Sequence, residues 1–350
     1  MSLQSWLTQP RPPTRTPRLA IANTMSRMRS RAPRPGSRPT PTRIVLLWVV
    51  VLVATAPLVA MSQVGAGDAL HFLRSGLGPR VRAMGGTYAA LTDDLTTVLW
   101  NPAGLVHTPG VRLGGGYESR FAGLVIVNHA VGAVSWGSFG GGLLWISSDL
   151  YSMYQLSAAA RVLDSLALAG SCKLYQFGQG LQNASGVGFD ISALYQWWQE
   201  EHEVTLGLNL RDIGWTAIRW STQGVPAVDH AAWVARLGAA LRLIGEDGVW
   251  IWSCDLEAAL RRPPNPGEEN YLANALQASL SLGTEVWLGP LALRAGMANI
   301  VTEEGLGEGT RPAVGIGLKW GSFNLDAAYV LTSPGYTYLL SLEVRFEGGN

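Results

Sequence analysis

The chain has 350 residues, with 26 basic and 25 acidic side chains and two cysteines. Two cysteines in a chain of this length exclude a disulfide-rich scaffold. Nine arginines and no acidic residue lie in residues 1–43, so the remainder has 17 basic and 25 acidic residues and a net charge near −8. An acidic exported part excludes a nucleic-acid partner, whose phosphates need a basic surface.

The basic arm leads directly into an apolar run of 18 residues, Ile44–Met61. That length reaches the lower limit for a membrane-spanning helix. The late Pro57 and the small residues Ala60 and Ser62 favour a signal peptide that is cleaved after Ser62. Residues 1–62 are therefore expected to be removed, with an uncleaved anchor as the alternative.

Residues 63–110 are expected to form a separate N-terminal unit. Between Val81 and Leu99 the apolar residues recur at helical spacing, which predicts a helix with one apolar face. The residues of that face are Met84, Tyr88, Leu91, Leu95 and Leu99.

An acidic pair, Asp93 and Asp94, and the sequence Trp100-Asn101-Pro102-Ala103-Gly104 end this unit. Asn101 is expected to turn the chain by bonding its own backbone while Pro102 fixes the next dihedral angle. A purely structural turn and a gating element are both open interpretations of this motif.

After Pro109 apolar and polar residues alternate with period 2, which predicts an all-β region. In residues 274–287, for example, Leu280 and Leu282 fall on one face and Ser281 and Glu285 on the other. About fourteen such runs lie in residues 111–346, and each is predicted to be one strand. One of the predicted boundaries between two strands falls between residues 130 and 132. Residues 347–350 form a short tail.

Two patterns favour a membrane barrel over a soluble sandwich. Many of the 14 tryptophans and several tyrosines lie near strand ends, where a membrane interface suits them. Short turns, such as 163–165, also alternate with longer links, such as 178–186 and 212–230. Outer-membrane barrels have short periplasmic turns and longer external loops.

No sequence motif indicates catalysis. The chain lacks Gly-x-Ser-x-Gly, His-Glu-x-x-His, a P-loop and Cys-x-x-Cys, and its five histidines are scattered. We therefore expect neither an enzyme nor a bound cofactor or metal. The fold class predicted is an all-β transmembrane antiparallel barrel of about fourteen strands with an N-terminal helical plug.

The segment from Phe72 to Val106 resembles the start of the FadL-like and PorV/PorQ-like outer-membrane barrels. It has their Ala-Met-Gly-Gly segment (Ala83–Gly86), acidic pair and Trp-Asn-Pro-Ala-Gly sequence ahead of the first strand. In FadL-like proteins an N-terminal hatch carries Asn-Pro-Ala and blocks the lumen. The resemblance implies that residues 63–110 are a plug and that the protein lies in the bacterial outer membrane.

Three consecutive glycines, Gly140, Gly141 and Gly142, interrupt the predicted third strand. Such glycines indicate a kink or the close approach of another backbone. In FadL-like barrels a kink in the third strand opens the wall to lipid, so the resemblance implies a lateral opening here. Close packing against the plug is the alternative.

Strand sequences such as Gly186–Tyr195 and Leu280–Gly296 resemble the PorV/PorQ group more closely. That resemblance implies a secretion-associated or transport role. A FadL-like passive transporter of hydrophobic small molecules and a structural barrel without transport are the alternatives. The expected partners are outer-membrane lipid and either hydrophobic small molecules or secreted proteins, and the barrel is expected to be a monomer.

Overall fold

The computed structural model describes residues 76–346, with gaps at 180–181, 200, 222–226, 262–275, 300, 303–304, 307–309 and 333–334. The expected basic arm and signal peptide (1–62), the beginning of the expected plug (63–75) and the tail (347–350) lie outside the described residues. No helix in the described part of the chain is long and apolar enough to cross a membrane.

Fourteen antiparallel strands form a closed barrel in the described part of the chain. They are β1 (Gly110–Arg120), β2 (Val125–Trp136), β3 (Phe139–Ser148), β4 (Tyr151–Leu163), β5 (Leu166–Gln179), β6 (Gln182–Gln199), β7 (His202–Arg211), β10 (Trp233–Gly245), β11 (Gly248–Leu260), β12 (Leu276–Leu288), β13 (Leu291–Ala298), β16 (Arg311–Trp320), β17 (Phe323–Leu331) and β18 (Tyr336–Phe346). Each pairs with the next barrel strand along the chain, and β1 pairs with β18. Closure leaves no unpaired sheet edge facing lipid.

Two short hairpins are added to the barrel. β8 (Ala217–Ser221) and β9 (Ala227–His230) pair with each other, and β8 also pairs with β6. β14 (Val301–Thr302) and β15 (Gly305–Leu306) form a separate hairpin between β13 and β16. Both hairpins therefore lengthen links between neighbouring barrel strands.

The two faces of the barrel wall differ in the way the alternation predicts. On the outer face, Leu143 is 63% exposed, Leu256 51% and Leu325 48%. The alternation predicts ten charged residues on the inner face. Lys319 is exposed and Arg345 is half-buried. The other eight are buried: Lys173, Asp190, Arg211, Asp255, Glu257, Arg294, Asp326 and Glu343. An apolar outer face and a polar inner face characterise a membrane barrel, so the predicted fourteen-strand barrel is confirmed.

The two ends of the barrel have different connections. At one end, which we call the short-turn end, two-residue turns lie at 137–138, 164–165, 246–247, 289–290 and 321–322. At the other, the long-link end, β7 connects to β10 through residues 212–232, and β11 to β12 through 261–275. β1 begins and β18 ends at the short-turn end.

Two predicted boundaries on the wall are wrong. The break expected between 130 and 132 is absent, because β2 continues to Trp136 and the turn falls at Gly137, whose φ is 60°. Glycine adopts this left-handed conformation without strain, whereas residue 131 is a β-branched valine. Within the link expected at 178–186, residues 178–179 and 182–186 are strand, since β5 and β6 stay paired up to Gln179 and Gln182.

The continuous helix expected between Val81 and Leu99 is also wrong. The chain forms α1 (Pro79–Ala83), α2 (Thr97–Trp100) and a 3₁₀ helix (Pro102–His107). Gly85 and Gly86 follow α1 with φ of 69° and 79°, which ends the helix. The five apolar residues at helical spacing are nevertheless all buried, because Gly76–Pro109, which we call the inner segment, is enclosed on every side.

Candidate functional site in the barrel lumen

The inner segment lies inside the barrel and is hydrogen-bonded by strands on different sides of the wall. From β11, the Asp255 carboxylate accepts the backbone N–H groups of Tyr88, at 2.7 Å, and Ala89, at 2.9 Å. From β4, the Gln155 side-chain amide donates to the Val98 carbonyl at 2.6 Å. These bonds satisfy backbone groups that the irregular conformation leaves unpaired.

Glycines on the inner face of the wall let the inner segment approach closely. A Cβ added to Gly238 would lie 2.8 Å from Ala89 Cβ, and one added to Gly283 would lie 2.6 Å from Thr87 Oγ1. Both distances are shorter than van der Waals contact, so these wall positions require glycine while the segment keeps its place. Gly207, Gly296 and Gly315 are in similarly close contact with residues 83–90.

The acidic pair of the sequence motif lies in an ion-pair network at the short-turn end. Arg80 of α1 contacts Asp93 and Asp94 and also donates two bonds to Glu285 of β12, at 2.8 and 2.7 Å. Arg242 of β10 donates to Asp93 at 2.8 Å. Burial raises the pKa of Asp93, but the Arg80 and Arg242 guanidinium groups outweigh burial and hold that pKa well below its usual range.

The network continues around the wall. Arg294 of β13 bridges Glu285, at 2.6 Å, and Asp326 of β17, at 2.5 Å. Glu343 of β18 pairs with Arg112 of β1 at 3.1 Å and accepts the backbone N–H of Leu95 at 3.1 Å. The inner segment is therefore joined by charge to strands β10, β12 and β18.

Trp100 and Asn101 of the motif lie at the centre of the lumen. The Trp100 ring is near two guanidinium groups, those of Arg211 at 5.0 Å and Arg236 at 5.5 Å. The Asn101 side-chain oxygen accepts the backbone N–H of Ala103 at 3.3 Å, and its NH₂ group donates to the Ala89 carbonyl at 2.6 Å. Asn101 thus links the turn into the 3₁₀ helix with an earlier part of the inner segment.

The remaining motif residues begin the 3₁₀ helix. Pro102, Ala103 and Gly104 are buried, and Pro102 occupies the first turn, where it needs no N–H partner. A Cβ on Gly104 would collide with the Thr92 side chain. The motif therefore packs the inner segment against itself, while the acidic pair attaches it to the wall.

The inner face of the wall is chemically uneven. Among the described residues of β2, β3 and β4, none of the buried side chains is Asp, Glu, Lys or Arg. Their buried face combines aliphatic residues with a few polar ones. The aliphatic residues include Val127, Val131, Leu144, Ile146 and Met153, and the polar ones are His129, Ser135, Gln155 and Ser157. Buried charges lie on the other strands: Arg112, Glu118, Arg120, Lys173, Asp190, Glu203, Arg211, Asp255, Glu257, Glu285, Arg294, Asp326 and Glu343.

Small cavities remain between the inner segment and the wall. One of about 30 Å³ is lined by residues that include Leu91, Asp93 and Arg242. Another of about 20 Å³ lies beside Arg80 and Glu343. Each has room for about one water molecule. In the part of the chain that the structure describes, no three His, Cys, Asp or Glu side chains are grouped closely enough to hold a metal ion.

Neither a protein-family model nor a curated protein sequence matches the chain. Solved structures are similar to it. The toluene transporter TodX of P. putida is 13% identical with a TM-score of 0.54, and the toluene transporter TbuX of Ralstonia pickettii is 14% identical with a TM-score of 0.53. The monoaromatic hydrocarbon channel CymD is 14% identical with a TM-score of 0.52. Each match covers 79% of this chain and 100% of the other.

The fold is that of the FadL-type outer-membrane barrels. At 13–14% identity the similarity establishes the fold and not the activity. The fold agrees with the one implied by the FadL-like resemblance of the sequence, and the comparisons do not confirm the PorV/PorQ assignment.

The three glycines of β3 are part of a regular strand. Gly140, Gly141 and Gly142 pair in register with both β2 and β4. A Cβ on Gly140 would lie 2.7 Å from Leu105 Cβ, and one on Gly142 would lie 2.6 Å from a Val98 methyl carbon. This geometry favours close packing against the inner segment, and the lateral opening at these residues stays a prediction.

Sequence reasoning missed several residues of the site. Arg80, Arg211 and Arg236 surround the motif, although nothing in their sequence context distinguishes them from other arginines. Asp255 was placed correctly on the inner face but not recognised as a backbone acceptor. The glycines opposite residues 83–90 have a detectable signal, since they occupy inner-face positions of alternating strands.

Proposed function

We propose that the protein is a passive outer-membrane transporter for small hydrophobic molecules, with the inner segment as its plug. The observation that supports this most directly is the inner face of β2, β3 and β4, which buries aliphatic side chains and, among the described residues, no Asp, Glu, Lys or Arg. A water-filled porin has a polar lumen. An apolar wall instead lowers the free energy of an apolar solute that leaves water. The similar barrels TodX, TbuX and CymD are described as hydrocarbon transporters and channels.

The proposed path runs between this apolar wall and the plug. Val98 and Leu105 of the plug are in van der Waals contact with Gly142 and Gly140 of β3. Three side chains of β4 also donate hydrogen bonds to plug carbonyls on this side: Gln155, Ser157 and Arg161. The opposite side of the plug is held by the ion pairs of Arg80 and Asp93. Displacement on the β3 side therefore breaks hydrogen bonds but no ion pair, and this is the side on which we place the passage.

The orientation in the membrane follows from the connections. Short turns of outer-membrane barrels face the periplasm and long links face outward. The short-turn end, with the network of Asp93, Asp94 and Glu285, is accordingly placed on the periplasmic side. A hydrophobic molecule enters from the long-link end.

Uptake by cells provides the first test. Cells that produce the full chain in their outer membrane should accumulate labelled toluene faster than cells with an empty vector. Uptake of a hydrophilic solute of similar size should be unchanged, because the proposed path is apolar. Equal toluene uptake in both strains would contradict the proposed function.

An engineered disulfide between the plug and β3, which can be formed and reduced, tests whether the plug must move. A Cβ at position 142 would lie 3.3 Å from Val98 Cβ, close to the separation of about 3.5–4.5 Å in disulfides. The variant Val98→Cys with Gly142→Cys, in a background of Cys172→Ser and Cys254→Ser, should lose toluene uptake when oxidised and regain it on reduction. The single variants Val98→Cys and Gly142→Cys are the controls.

The secretion-associated role rests on the sequence resemblance to the PorV/PorQ group alone. It predicts that secreted proteins co-purify with the barrel from membranes. The structural comparisons favour the transport alternative, and a monomeric barrel stays a prediction.

A further inference from the structure

The outer face of the wall changes from apolar to polar near the long-link end of β4, β5 and β6. Tyr154, Leu174 and Val187 pair across these strands and form an apolar row. Their side chains are 45%, 39% and 51% exposed, as expected for residues that face lipid. This row is the last fully apolar one on this side of the barrel.

The next row toward the long-link end is polar. Ser152 pairs with Gln176, Gln176 with Ser185, and Ser185 with Arg219 of β8. The two rows are two residues apart along each strand, which corresponds to about 6.6 Å. The change from lipid-facing to polar chemistry therefore occurs within one step, which marks the outer boundary of the apolar band.

A groove of about 570 Å³ lies at this boundary. Its lining includes the polar row, the β3–β4 turn with Asp149, and Asn183 and Ser221 of the following row. Sites for small molecules commonly have about 300–1,000 Å³. The lining side chains are mostly hydroxyls and amides, which both donate and accept hydrogen bonds.

The opposite side of the barrel lacks this polar face. There Tyr329 of β17 pairs with Tyr338 of β18 and stacks on Tyr336, with ring centroids 5.7 Å apart. The ring centroid of Tyr117 of β1 lies 6.3 Å from that of Tyr338. Tyrosines of this kind are common at membrane interfaces. The polar groove is therefore a local feature of β4, β5, β6 and β8, and not a general property of the barrel rim.

We propose that this groove binds the phosphorylated sugar head of an outer-leaflet lipid. Hydroxyl and amide side chains suit sugar hydroxyls, the Asp149 carboxylate accepts from them, and the Arg219 guanidinium suits a phosphate. The acyl chains of the same molecule lie on the apolar row below, against Leu174 and Val187.

Continuity with the lipid-facing band identifies the occupant as a membrane lipid. A soluble sugar would need only the groove, whereas a glycolipid uses the groove and the adjoining apolar row together. The proposal depends on the outer-membrane location and not on hydrocarbon transport, so it can hold even if the proposed function fails.

Native mass spectrometry of the full chain, folded in detergent, tests the proposal with lipid A, a phosphorylated diglucosamine lipid, as the probe. The variant Gln176→Leu with Arg219→Ala should retain lipid A about tenfold less than the unaltered protein, because it loses a charge-assisted bond and an amide. Gln199→Leu is the control, since Gln199 is an exposed glutamine at the short-turn end of β6, the strand that pairs with both β5 and β8.

Heat-dependent migration on gels establishes that each variant is folded. Equal lipid A retention in the groove variant and the unaltered protein would overturn the proposal. Equal retention of phosphatidylethanolamine, which has no sugar, would also overturn it. If soluble glucosamine 1-phosphate binds as tightly as lipid A, the groove takes free sugar phosphates and the lipid assignment is wrong.

Discussion

A single carboxylate on the wall, Asp255, fixes the backbone of the inner segment. It accepts two N–H groups, from Tyr88 and Ala89, in a place that water does not reach. Asp255→Ala should destabilise the folded barrel by about 2–3 kcal/mol, because two buried donors lose their acceptor. Asp255→Asn should cost less, since the amide oxygen still accepts.

Chemical unfolding in detergent and limited proteolysis of residues 76–109 measure this difference. Glu246→Ala is a suitable control, because Glu246 lies exposed in a short turn. Equal stability of Asp255→Ala and the control would contradict the assigned role of Asp255.

An outer-face leucine tests the contact with lipid. Leu256 of β11 is 51% exposed and lies in the middle of its strand. Leu256→Arg should lower the yield of folded barrel, by about 2–4 kcal/mol if the site is near the bilayer midplane. Leu256→Val, which keeps an apolar side chain, should fold like the unaltered protein, and the folded fraction on unheated gels measures both.

Which side chains face inward could be predicted from the sequence, because a strand alternates with period 2. Lys173 and Asp190 are examples. Which charges meet could not be predicted, since Arg80 and Glu285 are 205 residues apart and meet only after the barrel closes. Local sequence patterns contain no information on such pairs.

Among the elements, β3 offers a comparison between neighbouring glycines. Gly142 faces Val98 of the inner segment, whereas the nearest heavy atom to a Cβ on outward-facing Gly141 would be 3.8 Å away. Gly141→Val should be neutral or slightly stabilising, because valine favours strands. Gly142→Val should displace α2 and destabilise the barrel by about 1–3 kcal/mol.

Thermal unfolding followed by tryptophan fluorescence measures both variants. If Gly142→Val is as stable as Gly141→Val, the inner segment does not pack on β3. If Gly141→Val instead abolishes toluene uptake in a stable barrel, the lateral opening predicted at these glycines gains support over close packing.

The wall also has an interruption where β7 ends at Arg211 and β8 resumes at Ala217. Asp212 and Trp215 between them have φ of 52° and 59°, a strained conformation for residues other than glycine. On the inner side, Lys173 pairs with Asp190 at 2.7 Å and with Asp212 at 3.0 Å. These ion pairs hold the interruption against β6.

Lys173→Met should weaken this part of the wall, because two buried carboxylates lose their cation at a cost of about 3–5 kcal/mol. Hydrogen exchange should increase at residues 186–190 and 212–216 and stay unchanged in β1 and β18. Glu246→Ala is the control, as Glu246 is exposed in a turn at the short-turn end. Unchanged exchange at 212–216 would show that Lys173 does not hold the interruption.

The number of strands was predictable, because each crossing of a membrane imposes the same alternating pattern. The helix expected between Val81 and Leu99 was not correct. Apolar residues at helical spacing indicate a helix when only one face of a segment is buried. The inner segment is surrounded on all sides, so its apolar residues are buried whatever its secondary structure. The interruption at Asp212 coincides with the start of the link expected at 212–230, but the short strands β8 and β9 inside that link were not predicted.

For the whole molecule, closure of the β1–β18 seam predicts resistance to detergent. The mature protein should partition with the outer membrane and migrate faster on gels unheated than boiled, because its fourteen barrel strands pair into a closed sheet. Recovery as a soluble periplasmic protein, or a helical circular dichroism spectrum, would contradict the membrane barrel. A heat-modifiable barrel of known structure serves as the reference.

The location of the candidate site could be predicted from the sequence, since Asp93, Asp94 and Trp100–Gly104 all lie in the lumen. Its chemistry could not. The aliphatic side chains of β2, β3 and β4 could not be assigned to a site from the sequence. Their role becomes visible only when the barrel closes and they face the inner segment rather than solvent.

The ion pairs of the inner segment also set an order of assembly. Arg80 needs Glu285 of β12, and the Leu95 N–H needs Glu343 of β18. Both partners lie on strands far along the chain from the inner segment, and β18 is also the strand that pairs with β1. The contacts of the inner segment are therefore complete only when the wall is closed, so closing the barrel and fixing the inner segment depend on the same last strand.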